Sequence, residues 1–248
     1  MTDVQGKWAL LTGASRGLGA LSARFLARQG CNLVLHSRKL AHTEPVLRDV
    51  LALGVDAYAV EAELADIEQV RGMLAAIGER ETPVSLVLNN AGVQVAYRDE
   101  YLNTPAEDFT TSFMINTIAP AMICYHYLPE MIQNGFGRIV NTTSGIRLDP
   151  QQAGYSASKA ALDKFTVDLG SKVHGTGVMI NLTDPGWCRT ELGGPNAPNA
   201  AESVIPGVVV GVFADDQKSG RVFPAQDFAG MTLEQAVKQA ETAFDSPY

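Results

Sequence analysis

The chain has 248 residues, 46% of them hydrophobic and 19% charged, so it can bury a sizeable core, and no stretch reads as a linker, repeat or low-complexity tract. Its net charge of -8 argues against a nucleic-acid surface and fits a solvated acidic exterior. Cys31, Cys124 and Cys188 are odd in number and widely spaced, which excludes a disulfide framework and a zinc cluster and predicts reduced thiols.

The first apolar run, residues 8–11 (Trp8-Ala9-Leu10-Leu11), predicts a buried strand, and a helix is expected over 18–29. Between them lies Thr12-Gly13-Ala14-Ser15-Arg16-Gly17-Leu18-Gly19, which sets three glycines where a strand turns into a helix. Glycine is needed there for backbone angles closed to other residues, for the approach of a phosphate to the main chain, and for close helix–strand packing. Free N–H groups and the positive end of the helix dipole then face an anion. Gly13, Ser15, Arg16, Gly17, Leu18 and Gly19 are therefore candidates for a pyrophosphate cradle. A second strand over 32–36 completes a βαβ unit of the length that nucleotide folds require.

Further strands are predicted at 57–60, 84–88, 138–141, 178–182 and 221–223, and helices at 43–53, 66–80, 105–133, 152–174, 201–215 and 232–243. Pro83 and Asp184-Pro185-Gly186 punctuate the order at the start of one strand and the end of another. The alternation predicts an α/β fold: a doubly wound, mostly parallel, seven-stranded Rossmann-type sheet with helices on both faces. His36, His42, His126 and His174 lack metal-ligand spacing and read as surface or satisfied core histidines, so no metal is expected. No basic-then-apolar leader opens the chain and no apolar run reaches membrane-spanning length. A cytoplasmic protein, one domain over residues 1–248, with no membrane or nucleic-acid partner, is the expectation.

In such a sheet the ligand lies beyond the carboxyl ends of the strands. After the fourth strand comes Asn89-Asn90-Ala91-Gly92, after the fifth Asn141-Thr142-Thr143-Ser144-Gly145, then Tyr155-Ser156-Ala157-Ser158-Lys159, and after the sixth Asp184-Pro185-Gly186-Trp187-Cys188-Arg189-Thr190. With the glycine turn and Ile115-Asn116-Thr117, these motifs resemble the short-chain dehydrogenase/reductase family in its short single-domain branch, over roughly residues 6 to 225. The resemblance implies a catalytic set of Asn116, Ser144, Tyr155 and Lys159. It also implies that Asn90, Ala91, Gly92, Tyr155, Lys159, Pro185, Gly186 and Thr190 join the glycine turn around the cofactor, and that the protein is a homodimer or homotetramer.

Physical chemistry supports the same residues. Tyr155 and Lys159 are spaced i, i+4 and share a helix face, so the ammonium is expected to lower the phenol's pKa toward the working range and make Tyr155 the proton-transfer group. Ser144 offers a hydroxyl to a developing alkoxide, and the family pattern implies that Asn116 positions a proton-relay water. Only ten residues separate Ser144 from Tyr155, a shorter loop than the family's. Either the loop is trimmed by about two residues, or Thr142 or Thr143 assumes part of the serine's role.

The second strand ends in His36-Ser37-Arg38, with no acid to accept bonds from ribose hydroxyls. Ser37 and Arg38 suit a 2′-phosphate, and Arg16 faces the same region in relatives that use NADP, so NADP(H) is the expected cofactor. Glu63, followed by Leu64, occupies the place of an adenine-contacting aspartate. The expected function is NADP(H)-dependent transfer of hydride between nicotinamide and a small-molecule ketone or secondary alcohol. The alternative is a nucleotide-binding sensor or regulator of the same fold with little turnover. Val93, Val95, Ile146, Leu148 and Trp187 are candidates for an apolar pocket wall, with Arg98 or Arg147 as a possible anion anchor.

Overall fold

Residues 1–246 are described by a computed structural model. Seven parallel strands form the central sheet: β1 (Trp8–Leu11), β2 (Asn32–Ser37), β3 (Ala57–Glu61), β4 (Val84–Asn89), β5 (Gly137–Thr142), β6 (Val178–Asp184) and, last in the chain, β9 (Val222–Pro224). Their order across the sheet is β3-β2-β1-β4-β5-β6-β9, so the chain reverses direction of travel between β1 and β4. A two-stranded parallel pair, β7 (Cys188–Arg189) with β8 (Asn199–Ala200), sits in the loop beyond β6. The predicted strands all form, within one or two residues.

The helices are α1 (Gly17–Arg28), α2 (Glu44–Leu51), α3 (Ile67–Gly78), α4 (Ala106–Phe113), α5 (Ala119–Gln133), α6 (Ala153–Lys172), a single turn α7 (Val210–Phe213), and α8 (Leu233–Ala243). Successive strand residues alternate between two cores, as the pleat demands. Ala9, Leu11, Leu33, Leu35, Leu86 and Leu88 pack with α1, α2, α7 and α8 on one face. Leu10, Val34, Val87, Ile139 and Ile180 pack with α3 and α5 on the other. That two-sided burial is why the strand segments read as continuous apolar runs.

Two predicted helices are broken. The expected helix over 105–133 is interrupted by a π turn at Met114–Ile118, which contains Asn116. Pro120, at the start of α5, has no N–H to return to the Asn116 carbonyl, so regular α bonding fails at that turn. The expected helix over 201–215 becomes two 3-10 turns, Ala201–Val204 and Gly207–Val209, ahead of the short α7. Pro206 and the β-branched run Val208-Val209-Val210 act against a continuous helix there.

Buried amides join the ends of the middle strands to α6. Asn89 and Asn141 are paired in register on β4 and β5, the Asn89 amide donates to Asn141 Oδ1 at 2.8 Å, and Asn141 Nδ2 donates to Thr166 Oγ1 at 2.8 Å. This ties the C-terminal half of α6 to the carboxyl ends of both strands. Among the described residues no helix is long and apolar enough to cross a membrane, and no group of His, Cys, Asp or Glu is arranged to hold a metal ion.

Candidate active site

The glycine turn leaves β1 and enters α1. Gly13 and Gly17 adopt φ of +67° and +52°, the left-handed region that L side chains avoid. A Cβ on Gly19 would lie 2.1 Å from the Gly13 carbonyl oxygen, so only glycine lets α1 close on the turn. Arg16 is the N-cap of α1 and makes no side-chain cap, which leaves the first-turn N–H groups to an incoming anion. Ser15 is half-buried within the turn, and Leu18 packs on a small cluster with Cys188, Val204 and Val208. Asn90 braces the turn: its amide donates to the Thr12 and Gly13 carbonyls at 3.0 and 3.3 Å, and the Ala91 N–H donates to Thr12 Oγ1 at 3.0 Å.

His36, unremarked by sequence reasoning except as a core histidine, holds the same turn from below. The Gly13 N–H donates to His36 Nδ1 at 3.4 Å and the Ala14 N–H to the His36 carbonyl at 2.9 Å. With Nδ1 accepting, Nε2 carries the proton and donates to the Ala62 carbonyl at 3.1 Å. Burial lowers the His36 pKa, opposed by that carbonyl and by Glu63. Ser37 is buried, and its hydroxyl already donates to the Lys39 carbonyl at 2.7 Å, so the side chain left open at the end of β2 is the exposed Arg38. Arg16 pairs with Glu191 across the cleft instead of turning toward Arg38. Glu63 folds over its own loop, accepting the Ala65 N–H at 3.1 Å, and Leu64 is buried.

Asn116 on the π turn, Ser144 just after β5, and Tyr155 and Lys159 on α6 come from three places in the chain to one cleft at the ends of β4, β5 and β6. Lys159 is buried, and its ammonium donates to the Thr142 carbonyl at 2.7 Å and lies 6.0 Å from the centre of the Tyr155 ring. Burial lowers Lys159 to about 8, against the pull of Asp163 and then Asp184. The phenol is not lowered as the i, i+4 spacing suggested. Burial raises Tyr155, Ser144 opposes the rise and Asp184 adds to it, while the lysine is engaged by Thr142. The hydroxyl beside the phenol is therefore that of Ser144. Of the two threonines considered for its role, Thr142 supplies a carbonyl to Lys159, and the Thr143 hydroxyl is buried without a partner.

The Asn116 side chain is bonded at both ends. Its Oδ1 accepts the Val93 N–H at 2.9 Å, and its Nδ2 donates to the Val93 carbonyl at 2.9 Å and to Ser158 Oγ at 3.0 Å. It thereby fixes the segment after β4 against α6. A Cβ on Gly92 would lie 3.3 Å from Asn116 Oδ1 and 3.5 Å from Lys159 Nζ, so Gly92 sits over this group. Pro185 and Gly186 (φ +68°) turn the chain away from β6, and Thr190 approaches Gly17, with its Cγ2 3.4 Å from where a Gly17 Cβ would stand.

The apolar wall is only partly assembled. Val93, Val95 and Ile146 are half-buried near the strand ends. Leu148 is 99% exposed at a positive φ, because the short loop turns it outward, and it lines nothing. Trp187 is 59% exposed and closes its own loop, donating its indole N–H to the Gly193 carbonyl at 2.7 Å. Arg98 is not an anion anchor: it forks onto Asp108 at 2.7 and 2.9 Å and ties the post-β4 loop to α4. Arg147 is exposed. Sequence reasoning missed two acids. Asp163 lies one turn beyond Lys159 on α6, and Asp184, the last residue of β6, points an oxygen at Gly145. A carboxylate closing an otherwise buried strand was the available signal for the second.

The chain matches the short chain dehydrogenase family over residues 7–201. It is a short-chain dehydrogenase/reductase. It is 28% identical to the 3-oxoacyl-(acyl-carrier-protein) reductase of Rickettsia conorii, covering 96% of each chain. A metagenomic short-chain oxidoreductase solved in complex with NADP is 28% identical, with a TM-score of 0.69 over 75% of this chain and 84% of that one. An NAD+-bound xylitol dehydrogenase is 27% identical, with a TM-score of 0.70 over 75% of this chain and 72% of that one. This short-chain dehydrogenase/reductase spans 60% and 65% of the lengths of the first two curated relatives it matches. Members of this family are oxidoreductases that use a nicotinamide cofactor. The uncapped α1 terminus and the close-packed glycine turn, where a Cβ would stand 2.9 Å from Ala91 Cα at Gly13 and 2.1 Å from the Gly13 carbonyl oxygen at Gly19, fit the pyrophosphate of such a dinucleotide.

Proposed function

We propose that the chain is an NADP(H)-dependent ketoreductase in which Tyr155 carries the proton and Ser144 steadies the carbonyl oxygen. The observation that carries this reading is the convergence of Ser144, Tyr155 and the buried Lys159 on one cleft that also opens on the glycine cradle. When bound, the nicotinamide supplies or accepts the hydride. The cofactor-binding set runs through Gly13 to Gly19, Arg38 and Glu63, then Asn90 to Gly92, with Pro185, Gly186 and Thr190 on the opposite wall. Arg38, exposed at the end of β2 with no acid beside it, supports NADP(H) over NAD(H).

In the reductive direction the substrate oxygen lies between the Ser144 hydroxyl and the Tyr155 phenol. A phenol held above its ordinary pKa is neutral at physiological pH, so it enters as an acid with its proton in place. The Lys159 ammonium stabilises the phenolate as it forms, and Asn116 keeps the post-β4 segment and α6 in register while the proton is replaced from solvent. Dimers or tetramers and a single domain over 1–248 belong to the same proposal.

The test is NADPH consumption with a panel of aryl ketones, keto-sugars and keto-acids, for the wild type and Tyr155→Phe. Stoichiometric consumption, lost by about a hundredfold or more in the phenylalanine variant while NADPH still binds, is the expected result. Binding without turnover by the wild type would leave the regulatory alternative standing.

A further inference from the structure

Asp184 puts a negative charge where the proposed reaction takes place. It is half-buried at the carboxyl end of β6, and its Oδ1 accepts the Gly186 N–H at 2.9 Å. Its Oδ2 approaches the chain beside Ser144 so closely that a Cβ on Gly145 would lie 2.7 Å from it. That second oxygen receives no donor from the described residues, and Asp184 forms no ion pair among them.

The cations of the surrounding loops do not pair with it: Arg147 is exposed to solvent, and the others are turned elsewhere. Arg98 is paired with Asp108 and Arg16 with Glu191, and Arg189 donates to the Ala197 and Pro198 carbonyls at 2.9 and 2.8 Å. Lys159 directs its ammonium at the Thr142 carbonyl and forms no ion pair with Asp184 among the described residues. Two carboxylates, Asp163 and Asp184, thus act on the single ammonium of the centre. Asp163 has a buried oxygen and stands behind Lys159 on α6, so Asp184 is the acid next to the reacting oxygen.

We propose that Asp184 is a specificity-determining residue, selecting ketones that carry an ammonium group next to the carbonyl and disfavouring keto-acids. A cation on the carbon beside a carbonyl held by Ser144 and Tyr155 comes within reach of Oδ2, in a partly desolvated setting where opposite charges attract and like charges repel strongly. The inference rests on the ketoreductase reading, and it turns the pocket from a merely apolar one into one with a charged end.

Three phenyl ketones separate the charges: 2-aminoacetophenone with its amine on the methyl carbon (2-amino-1-phenylethanone), kept below the pKa of that amine, propiophenone and phenylglyoxylate. For the wild type with NADPH, kcat/KM is expected to favour 2-aminoacetophenone over propiophenone by about tenfold, a difference of about 1.4 kcal/mol, with phenylglyoxylate last. Asp184→Asn keeps an oxygen for the Gly186 N–H and removes the charge, so the amino-ketone to propiophenone ratio should fall about tenfold and the keto-acid should gain. Gly145→Ala, which crowds Oδ2 while leaving the carboxylate in place, should shift the ratio the same way. A ratio unchanged in Asp184→Asn, or an equal loss with all three ketones, overturns the assignment and makes Asp184 a brace of the Gly186 turn. No turnover of any ketone by the wild type overturns the ketoreductase reading and this inference with it. Turnover without charge discrimination overturns this inference alone.

Discussion

Lys159 is the residue whose protonation the cleft controls most directly. Its ammonium is stable only below about pH 8 in the folded protein, whereas in the unfolded chain it persists to the ordinary 10.5. Between those values the unfolded chain binds more protons, so this group makes the fold relatively more stable as pH rises, and burying its charge is a cost present below about 8. Function runs the other way. The charged form is the one below that pKa, so kcat/KM for ketone reduction should decline above about pH 8. Lys159→Arg, whose guanidinium keeps its charge, should carry any remaining activity to higher pH, and a profile flat to alkaline pH in the wild type would contradict the assignment. At the other end of the cleft, Arg38→Asp should lower kcat/KM with NADPH and raise it with NADH, since a carboxylate suits ribose hydroxyls and repels a 2′-phosphate. Equal losses with both cofactors would mean that Arg38 does not read the phosphate. Sequence pointed to these residues in two ways: post-strand positions face the carboxyl ends of the sheet by topology, and their motifs resemble those of the family. The state of the phenol was not, since it depends on burial and on Asp184, a residue distant in sequence.

Among the elements, α1 depends most sharply on single residues. Gly19→Ala would force a methyl group into the Gly13 carbonyl and push the helix off the turn, so a loss of about 1–3 kcal/mol in urea unfolding and weakened NADPH binding are expected. Gly72→Ala is its counterpart. Gly72 lies inside α3 with nothing near the position of a Cβ, so that change should stabilise by about 0.5–1 kcal/mol. The contrast shows why glycine at a strand–helix junction is informative and glycine in a helix is not. The strands were readable because two-sided burial writes them as apolar runs; the capping box of Thr232 and Gln235, which starts α8, was a signal the sequence reading did not use. The π turn was hidden by the long apolar pattern of 105–133, although Pro120 was the sign of a missing N–H. The 201–215 segment misled because it is apolar through contact with the core on all sides, not along a helical stripe.

At the scale of the whole molecule, the end of the sheet opposite the cleft is held by two buried arginines. Arg138 reaches Asp215 at 2.6 Å and the Ala214, Gly137 and Gly177 carbonyls. Arg221 forks onto Asp216 at 2.6 and 2.8 Å and donates to the Lys218 and Ala240 carbonyls. Cutting Arg221 back to alanine leaves Asp216 and those carbonyls without their donor, and a loss of about 3–5 kcal/mol in urea unfolding is expected. A change under about 1 kcal/mol would show that water replaces the guanidinium there. Nothing in local sequence marked either arginine, because their partners lie in other elements. The seventh strand has a consequence of its own. β9 covers the free edge of β6, and just beyond it Gln226 donates to the Pro185 carbonyl at 3.1 Å, so the wall that carries Asp184 and Gly186 is supported from residues 222–226. In synthesis these residues follow all six of the other strands of the sheet. Until they emerge, the nascent chain has its other six strands and an open, apolar sheet edge, the template on which chains pair with one another. The wall that carries Asp184 and the cover of the sheet edge are thus acquired in one step, after the other six strands are made.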